Sequence, residues 1–196
     1  MTENNVKNSL SADYFDEVYR ANDDPWNFET SEYESAKYAE TLKVLPHEIY
    51  ESAFEIGCSI GVLTAKLAER CRNLLAIDVS EKALDTAKKR CLNFSNVDFR
   101  LMQIPHEFPV EKFDLIIVSE VGYYLSVDDW KIASKKLISM LKPHGNIVLV
   151  HWTHFVSDYP QTGDNVHDLF AEWNRQLKHI DAEKYADYRL DVWENV

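Results

Sequence analysis

Short apolar runs alternate along this chain with stretches whose apolar positions recur three or four residues apart. The first pattern suits buried strands and the second suits amphipathic helices. Strands are expected over 52–56, 73–77, 96–101, 113–119 and 146–152, with an alternating strand over 189–193 at the close. Helices are expected over 62–71, 81–92, 127–141 and 164–179. The 127–141 segment carries Ser126 at its cap, an apolar face of Trp130, Ala133, Leu137 and Leu141, and a stop at Pro143-His144-Gly145. Strand–helix alternation with β-rich central runs predicts an α/β protein built on a mostly parallel sheet with helices on both faces. Six strands are countable, and a seventh is either missing or hidden in 152–163.

Two helices are expected ahead of this sheet. Residues 11–22 place Tyr14, Phe15, Val18 and Tyr19 on one side. Asp23-Asp24-Pro25-Trp26 reads as a loop, since proline disfavours helix in the residue before it. Ser31-Glu32-Tyr33-Glu34 matches a capping box and opens a second helix, which Pro46 stops near Leu45. Residues 11–45 thus form a helical cap, and residues 1–10 read as disordered. The whole of 1–196 is expected to be one domain, since 196 residues supply one sizeable core.

Composition narrows the partners. The net charge of −12 disfavours nucleic acid, whose phosphates would be repelled, and it also keeps a protein soluble. No apolar run approaches the ~20 residues that cross a bilayer, and the polar start Met1-Thr2-Glu3 has no signal-peptide core. The three cysteines, Cys58, Cys71 and Cys91, form no C-x-x-C pair. Reduced thiols in a cytoplasm and no bound metal are expected.

The chemistry concentrates in Phe54-Glu55-Ile56-Gly57-Cys58-Ser59-Ile60-Gly61. An apolar run meets an acid and two glycines, and a helical pattern opens at once. The next apolar run, Leu74-Leu75-Ala76-Ile77, ends in Asp78, which lies 17 residues after Gly61. About 20 is the spacing at which a strand-end acid reads a ribose. A dinucleotide loop would show G-x-G-x-x-G, which is absent. The pattern Glu55-x-Gly57-x-Ser59-x-Gly61 followed by Asp78 resembles the first two motifs of class I S-adenosylmethionine-dependent methyltransferases, with Ser59 where glycine is usual. That resemblance implies a Rossmann-like fold of six or seven strands. It also implies cofactor contacts from Glu55, Gly57, Cys58, Ser59, Gly61, Asp78 and Val79. Gln103 stands where an acid usually meets the adenine amino group, next to Ile104, and Ser119 and Glu120 end the fourth strand.

Further residues are candidates for the acceptor side. Glu120 suits an ammonium or amine, and His151 at a strand end suits a general base near neutral pH. Tyr123 and Tyr124 are candidate pocket walls, with core packing as the rival role. His151 and His154 lack a third ligand for a metal. Asp24-Pro25-Trp26-x-Phe28, Tyr33-Glu34-x-x-Lys37-Tyr38 and Asp158-Tyr159-Pro160-x-x-Gly163-Asp164-x-Val166-His167-Asp168 together resemble the nodulation N-methyltransferases, the nodulation protein S family, over about Tyr14 to Trp193. In that family the acceptor is the free amine of a glucosamine on a chitin-like oligosaccharide. The resemblance implies methylation of an amine on a small polar or amino-sugar-like molecule. It implies Trp26 and Tyr33 over the cofactor, Lys37 near its carboxylate, and Trp152, Asp158 and Tyr159 on the acceptor. O-methylation, a non-catalytic cofactor-binding module and a nicotinamide-dependent oxidoreductase stay open alongside it.

Overall fold

The computed structural model describes residues 7–196. A helical cap of α1 (Ala12–Ala21) and α2 (Glu32–Lys43) precedes an alternating α/β body. The body runs β1 (Ala53–Ile56), α3 (Val62–Ala68), β2 (Leu74–Asp78), α4 (Glu81–Arg90), β3 (Val97–Leu101) and β4 (Phe113–Ser119). A short 3-10 turn, Gly122–Tyr124, follows. The chain then forms α5 (Val127–Met140), β5 (Leu141–Trp152), α6 (Gly163–Trp173), β6 (Lys178–Lys184) and β7 (Tyr188–Glu194). The expected elements are all present with ends moved by a few residues, save at α6 and β6.

The seven strands form one sheet in the order β3-β2-β1-β4-β5-β7-β6. The β1–β5 pairs are parallel, and β7 pairs antiparallel with both β5 and β6. The strand order reverses between β1 and β4, which opens a crevice at their carboxyl ends. Side-chain alternation along β4 builds both layers. Leu115 and Ile117 pack with Tyr38, Leu63 and Leu67 on one face. Ile116 and Val118 pack with Trp130, Leu137 and Phe170 on the other. Ser11, Ser31, Ser80, Ser126 and Thr162 cap five of the helices through their side-chain oxygens.

The expected helix over 164–179 ends early, and the seventh strand follows it rather than lying in 152–163. Asn174 stops α6 by donating from its side chain to the Phe170 carbonyl at 2.8 Å. The strand that follows, Lys-His-Ile-Asp-Ala-Glu-Lys, is a sheet edge with little burial on either face. An edge strand of this kind is protected by its charges and shows no apolar run. Strand β5 also begins earlier than expected, directly after α5, with an irregular register between Phe113 and Leu115.

The expectation of disorder over 1–10 divides. Residues 1–6 lie outside the described residues. Residues 7–10 are tied to the body: the Leu10 amide donates to the Tyr124 carbonyl at 2.9 Å, and the Ser126 amide donates to Ser9 Oγ at 2.8 Å. Among the described residues no helix is long and apolar enough to cross a membrane.

Candidate active site

A cavity of about 430 Å³ lies at the carboxyl ends of β1, β2 and β4, under the helical cap. Its wall includes Trp26, Tyr33, Lys37, Glu55, Gly57, Cys58, Ser59, Asp78, Val79, Gln103, Ile104, Ser119, Glu120, Tyr123, Tyr124, Trp152 and Tyr159. The fold thus brings together most of the residues singled out along the chain.

The loop after β1 is shaped by backbone as much as by side chains. Gly57 has φ +72°, and a Cβ there would sit 2.3 Å from Val121 Cγ2. Ser59 also adopts a left-handed conformation, φ 50°, which explains why glycine is usual there. A hydrogen bond secures it: Tyr19 Oη donates to Ser59 Oγ at 2.5 Å. Asp78 braces the loop from β2, accepting from the Ser59 amide at 2.8 Å and the Ser80 amide at 3.0 Å. Burial raises the Asp78 carboxyl above its ordinary value, opposed by the amides of Ser80, Ser59 and Val79.

Glu55 lies beneath this loop, 2% exposed, and its Oε2 has no hydrogen-bond partner among the described residues. Burial pushes its carboxyl up to about 7, the Thr64 hydroxyl opposing in part. An orphaned carboxylate oxygen in the cavity wall is what a ligand ammonium would satisfy. The bare-backbone loop, the strand-end acid and this orphan fit S-adenosylmethionine. A stability consequence follows from the raised value. An acid whose folded pKa lies above its unfolded value stabilises below the unfolded pKa and loses that contribution as pH rises through the folded one. Glu55→Gln should therefore melt like the parent near pH 4.5 and above it at pH 8, by an amount worth up to about 3 kcal/mol. Thermal melts of both proteins across that range check this, and a gap that does not widen with pH removes the strained carboxylate.

Glu120 ends β4 with φ 58°, turning the chain into the 3-10 turn. Its Oε1 takes Lys37 Nζ at 2.5 Å, and its Oε2 takes the Tyr123 hydroxyl at 2.5 Å and the Trp152 amide at 3.0 Å. Lys37 also bonds Glu34 Oε1 at 2.9 Å and is 1% exposed. Two of its three ammonium donors go to carboxylates of the chain, and Lys37 lines the cavity.

Three expectations are corrected by the geometry. His151 is fully buried and does not line the cavity. Its Nε2 accepts from the Gly122 amide at 2.9 Å and its Nδ1 lies 3.0 Å from His167 Nε2, so neither nitrogen is free to take a substrate proton. Gly61 lies behind the cavity wall, where a Cβ would come within 2.9 Å of Ala87 Cα, so it serves the packing of α3 on α4. Asp158 is exposed outside the cavity, accepting from the Ser157 hydroxyl at 3.2 Å, while its neighbour Tyr159 lines the wall.

Sequence reasoning missed Tyr19, Phe15, Glu34 and Met102 in the wall. Phe15 and Tyr19 stand four residues apart on the apolar side of α1, and Glu34 stands three before Lys37. Both spacings place side chains on one helix face, but neither tells which cavity that face meets.

The fold, with its cavity at the strand ends, is that of the class I S-adenosylmethionine-dependent methyltransferases. The family model described as nodulation protein S matches residues 8–177, and the chain belongs to that family. Nodulation protein S of Bradyrhizobium diazoefficiens is 35% identical over 128 residues, 64% of this chain and 61% of that protein. The Rhizobium tropici protein of the same name is 34% identical over 130 residues, 65% of this chain and 55% of that one. The matched part thus spans about three fifths of these curated relatives' length. The crystal structure of the N-methyltransferase NodS from Bradyrhizobium japonicum WM9 with S-adenosyl-L-homocysteine superposes with a TM-score of 0.84. It is 26% identical, and the match covers 95% of this chain and 99% of that one.

Proposed function

We propose that this protein methylates an amine nitrogen on a small polar, amino-sugar-like acceptor, with S-adenosylmethionine as donor. The observation that carries this is the charge of the cavity wall: among the described residues Glu34, Glu55, Asp78 and Glu120 line it with one ammonium, that of Lys37. Such a wall favours cationic ligands, and the rings of Trp26, Tyr33, Tyr123, Tyr124, Trp152 and Tyr159 around it add cation–π attraction. The relative solved with S-adenosyl-L-homocysteine is itself named an N-methyltransferase.

S-adenosylmethionine, when bound, would supply a methyl on a sulfonium, with the neutral thioether of S-adenosylhomocysteine as leaving group. The chain's part is alignment and exclusion of water. Asp78 would hold ribose hydroxyls, Glu55 would receive the amino group, Gln103 and Ile104 would flank the adenine, and Trp26 and Tyr33 would cover the site. A carboxylate offers about four lone-pair sites. Lys37, Tyr123 and Trp152 take three on Glu120, leaving one toward the acceptor. Glu120 thereby orients the acceptor N–H and offsets the positive charge that develops on nitrogen. An amine with a pKa of about 7.7–8.0 loses its proton to water near neutral pH, so a dedicated base is not needed. The three buried free cysteines support a reducing, cytoplasmic setting, and a small molecule rather than a nucleic acid or membrane as partner fits the acidic surface.

The test is direct. The full chain is incubated with S-adenosylmethionine and glucosamine, ethanolamine or N-acetylglucosamine, and products are read by mass spectrometry. Methyl on nitrogen is expected with a free amine, and nothing with the acetylated sugar. Methyl on a hydroxyl, or no product from any amine, overturns the reading.

A further inference from the structure

A line of hydrogen bonds runs from the edge of the cavity, between α6 and one face of the sheet, to β7. The Gly122 amide donates to His151 Nε2 at 2.9 Å, His151 Nδ1 lies 3.0 Å from His167 Nε2, and His167 Nδ1 bonds the Asp191 carboxylate. Arg189 Nε at 2.6 Å and His179 Nε2 at 2.7 Å complete that carboxylate's partners. His151, His167 and Asp191 come from β5, α6 and β7, and each is 0% exposed.

The order of donors is forced. A backbone amide only donates, so His151 Nε2 carries no proton and its ring proton sits on Nδ1. His167 then accepts at Nε2 and carries its proton on Nδ1, facing Asp191. Burial lowers both imidazoles, in His167 against the pull of Asp191, so both stay neutral. Two glycines make the approach possible. A Cβ on Gly122 would lie 2.9 Å from His151 Nε2 and 2.5 Å from Val166 Cγ1. One on Gly163 would lie 2.2 Å from the Trp152 carbonyl oxygen and 3.0 Å from His151 Cβ. Cavity and relay meet in the 3-10 turn, whose Tyr123 hydroxyl donates to Glu120 and whose Tyr123 ring stacks on Tyr159 at 5.2 Å.

We propose that His151, His167 and Asp191 are positioning residues: they lock the Gly122–Tyr124 turn and, through Tyr123, aim the Glu120 carboxylate at the acceptor. The role given to Glu120 rests on the N-methylation reading, whereas the relay itself stands on geometry. The rival role is a buried polar cluster that stabilises the fold without setting the turn.

Nitrogen-15 NMR of the full chain reads the tautomers, and amide exchange reads the turn. Both His151 and His167 should carry the proton on Nδ1. His151→Phe keeps the ring but removes the acceptor. It should speed exchange at the Gly122 amide about 100-fold and raise KM for glucosamine about tenfold, with S-adenosyl-L-homocysteine affinity within twofold. His151→Gln offers an acceptor and a donor at similar reach and should recover both. An Nε2 proton on either histidine in the parent overturns the proposal, even if His151→Phe fails to fold. So does a folded His151→Phe with parental exchange at Gly122. Should glucosamine not be turned over by the parent, exchange and tautomers still decide the relay, and the acceptor reading alone is lost.

Discussion

Asp78→Ala should weaken S-adenosyl-L-homocysteine binding about 100-fold while the protein remains folded. A hydrogen bond to a charged group contributes about 1.5–3 kcal/mol, and 100-fold corresponds to about 2.7 kcal/mol. Asp78 does two things at once. Its carboxylate fixes the left-handed Ser59 and the start of α4 through the amides of Ser59 and Ser80, and the remaining lone pairs face the cavity. Water entering from the cavity can replace the carboxylate at those amides, which spares the fold. Preorganisation of the loop and the bonds to the ligand are both lost. Calorimetry beside a thermal melt checks this, and a folded variant with parental affinity removes Asp78 from the cofactor site.

Lys37→Met should cost about 3–5 kcal/mol of stability, the usual result of removing one partner from a buried ion pair. In a chain of 196 residues that is a fall of about 10 °C in melting temperature. Burial alone would lower the Lys37 ammonium, but the carboxylates of Glu120 and Glu34 outweigh it and hold it above its ordinary value. Without it, Glu34 and Glu120 face each other in a poorly solvated wall. Glu34, whose carboxyl burial already raises above its ordinary value against the pull of Lys37, must then take up a proton more readily. The penalty is therefore full at pH 8 and shrinks as pH falls toward the ordinary carboxylate range, so the gap between variant and parent should narrow toward pH 5. Adding Glu34→Gln should restore part of the loss. A variant melting with the parent at pH 8 would mean that the triad is solvated and carries little energy.

The two effects come from neighbouring walls of one cavity, but they were not equally visible along the chain. Asp78 is legible because a glycine loop and a strand-end acid at a set distance are covalently linked; the strand–turn–helix–strand unit carries them together. The Glu34–Lys37–Glu120 triad needs a helix of the cap to meet the end of β4, 83 residues on from Lys37. Nothing in local spacing encodes that meeting. Tyr19 on Ser59 is the same case at a separation of 40 residues.

Local pattern determined the class of this protein: a parallel α/β body, an aromatic cap, and a cofactor loop whose glycines and acids sit within one βαβ unit. Periodicity reports which face of an element is buried, so it placed the central strands, whose burial is complete, and lost β6, whose edge position leaves both faces polar. Only the tertiary structure decided what the conspicuous polar residues do. His151 stands at the carboxyl end of a strand, a common place for a catalytic base, yet its side chain turns into the core and its proton is fixed by a backbone amide from another element. Burial and partner, which depend on packing between distant segments, set both the charge state of a side chain and the face of the fold it serves.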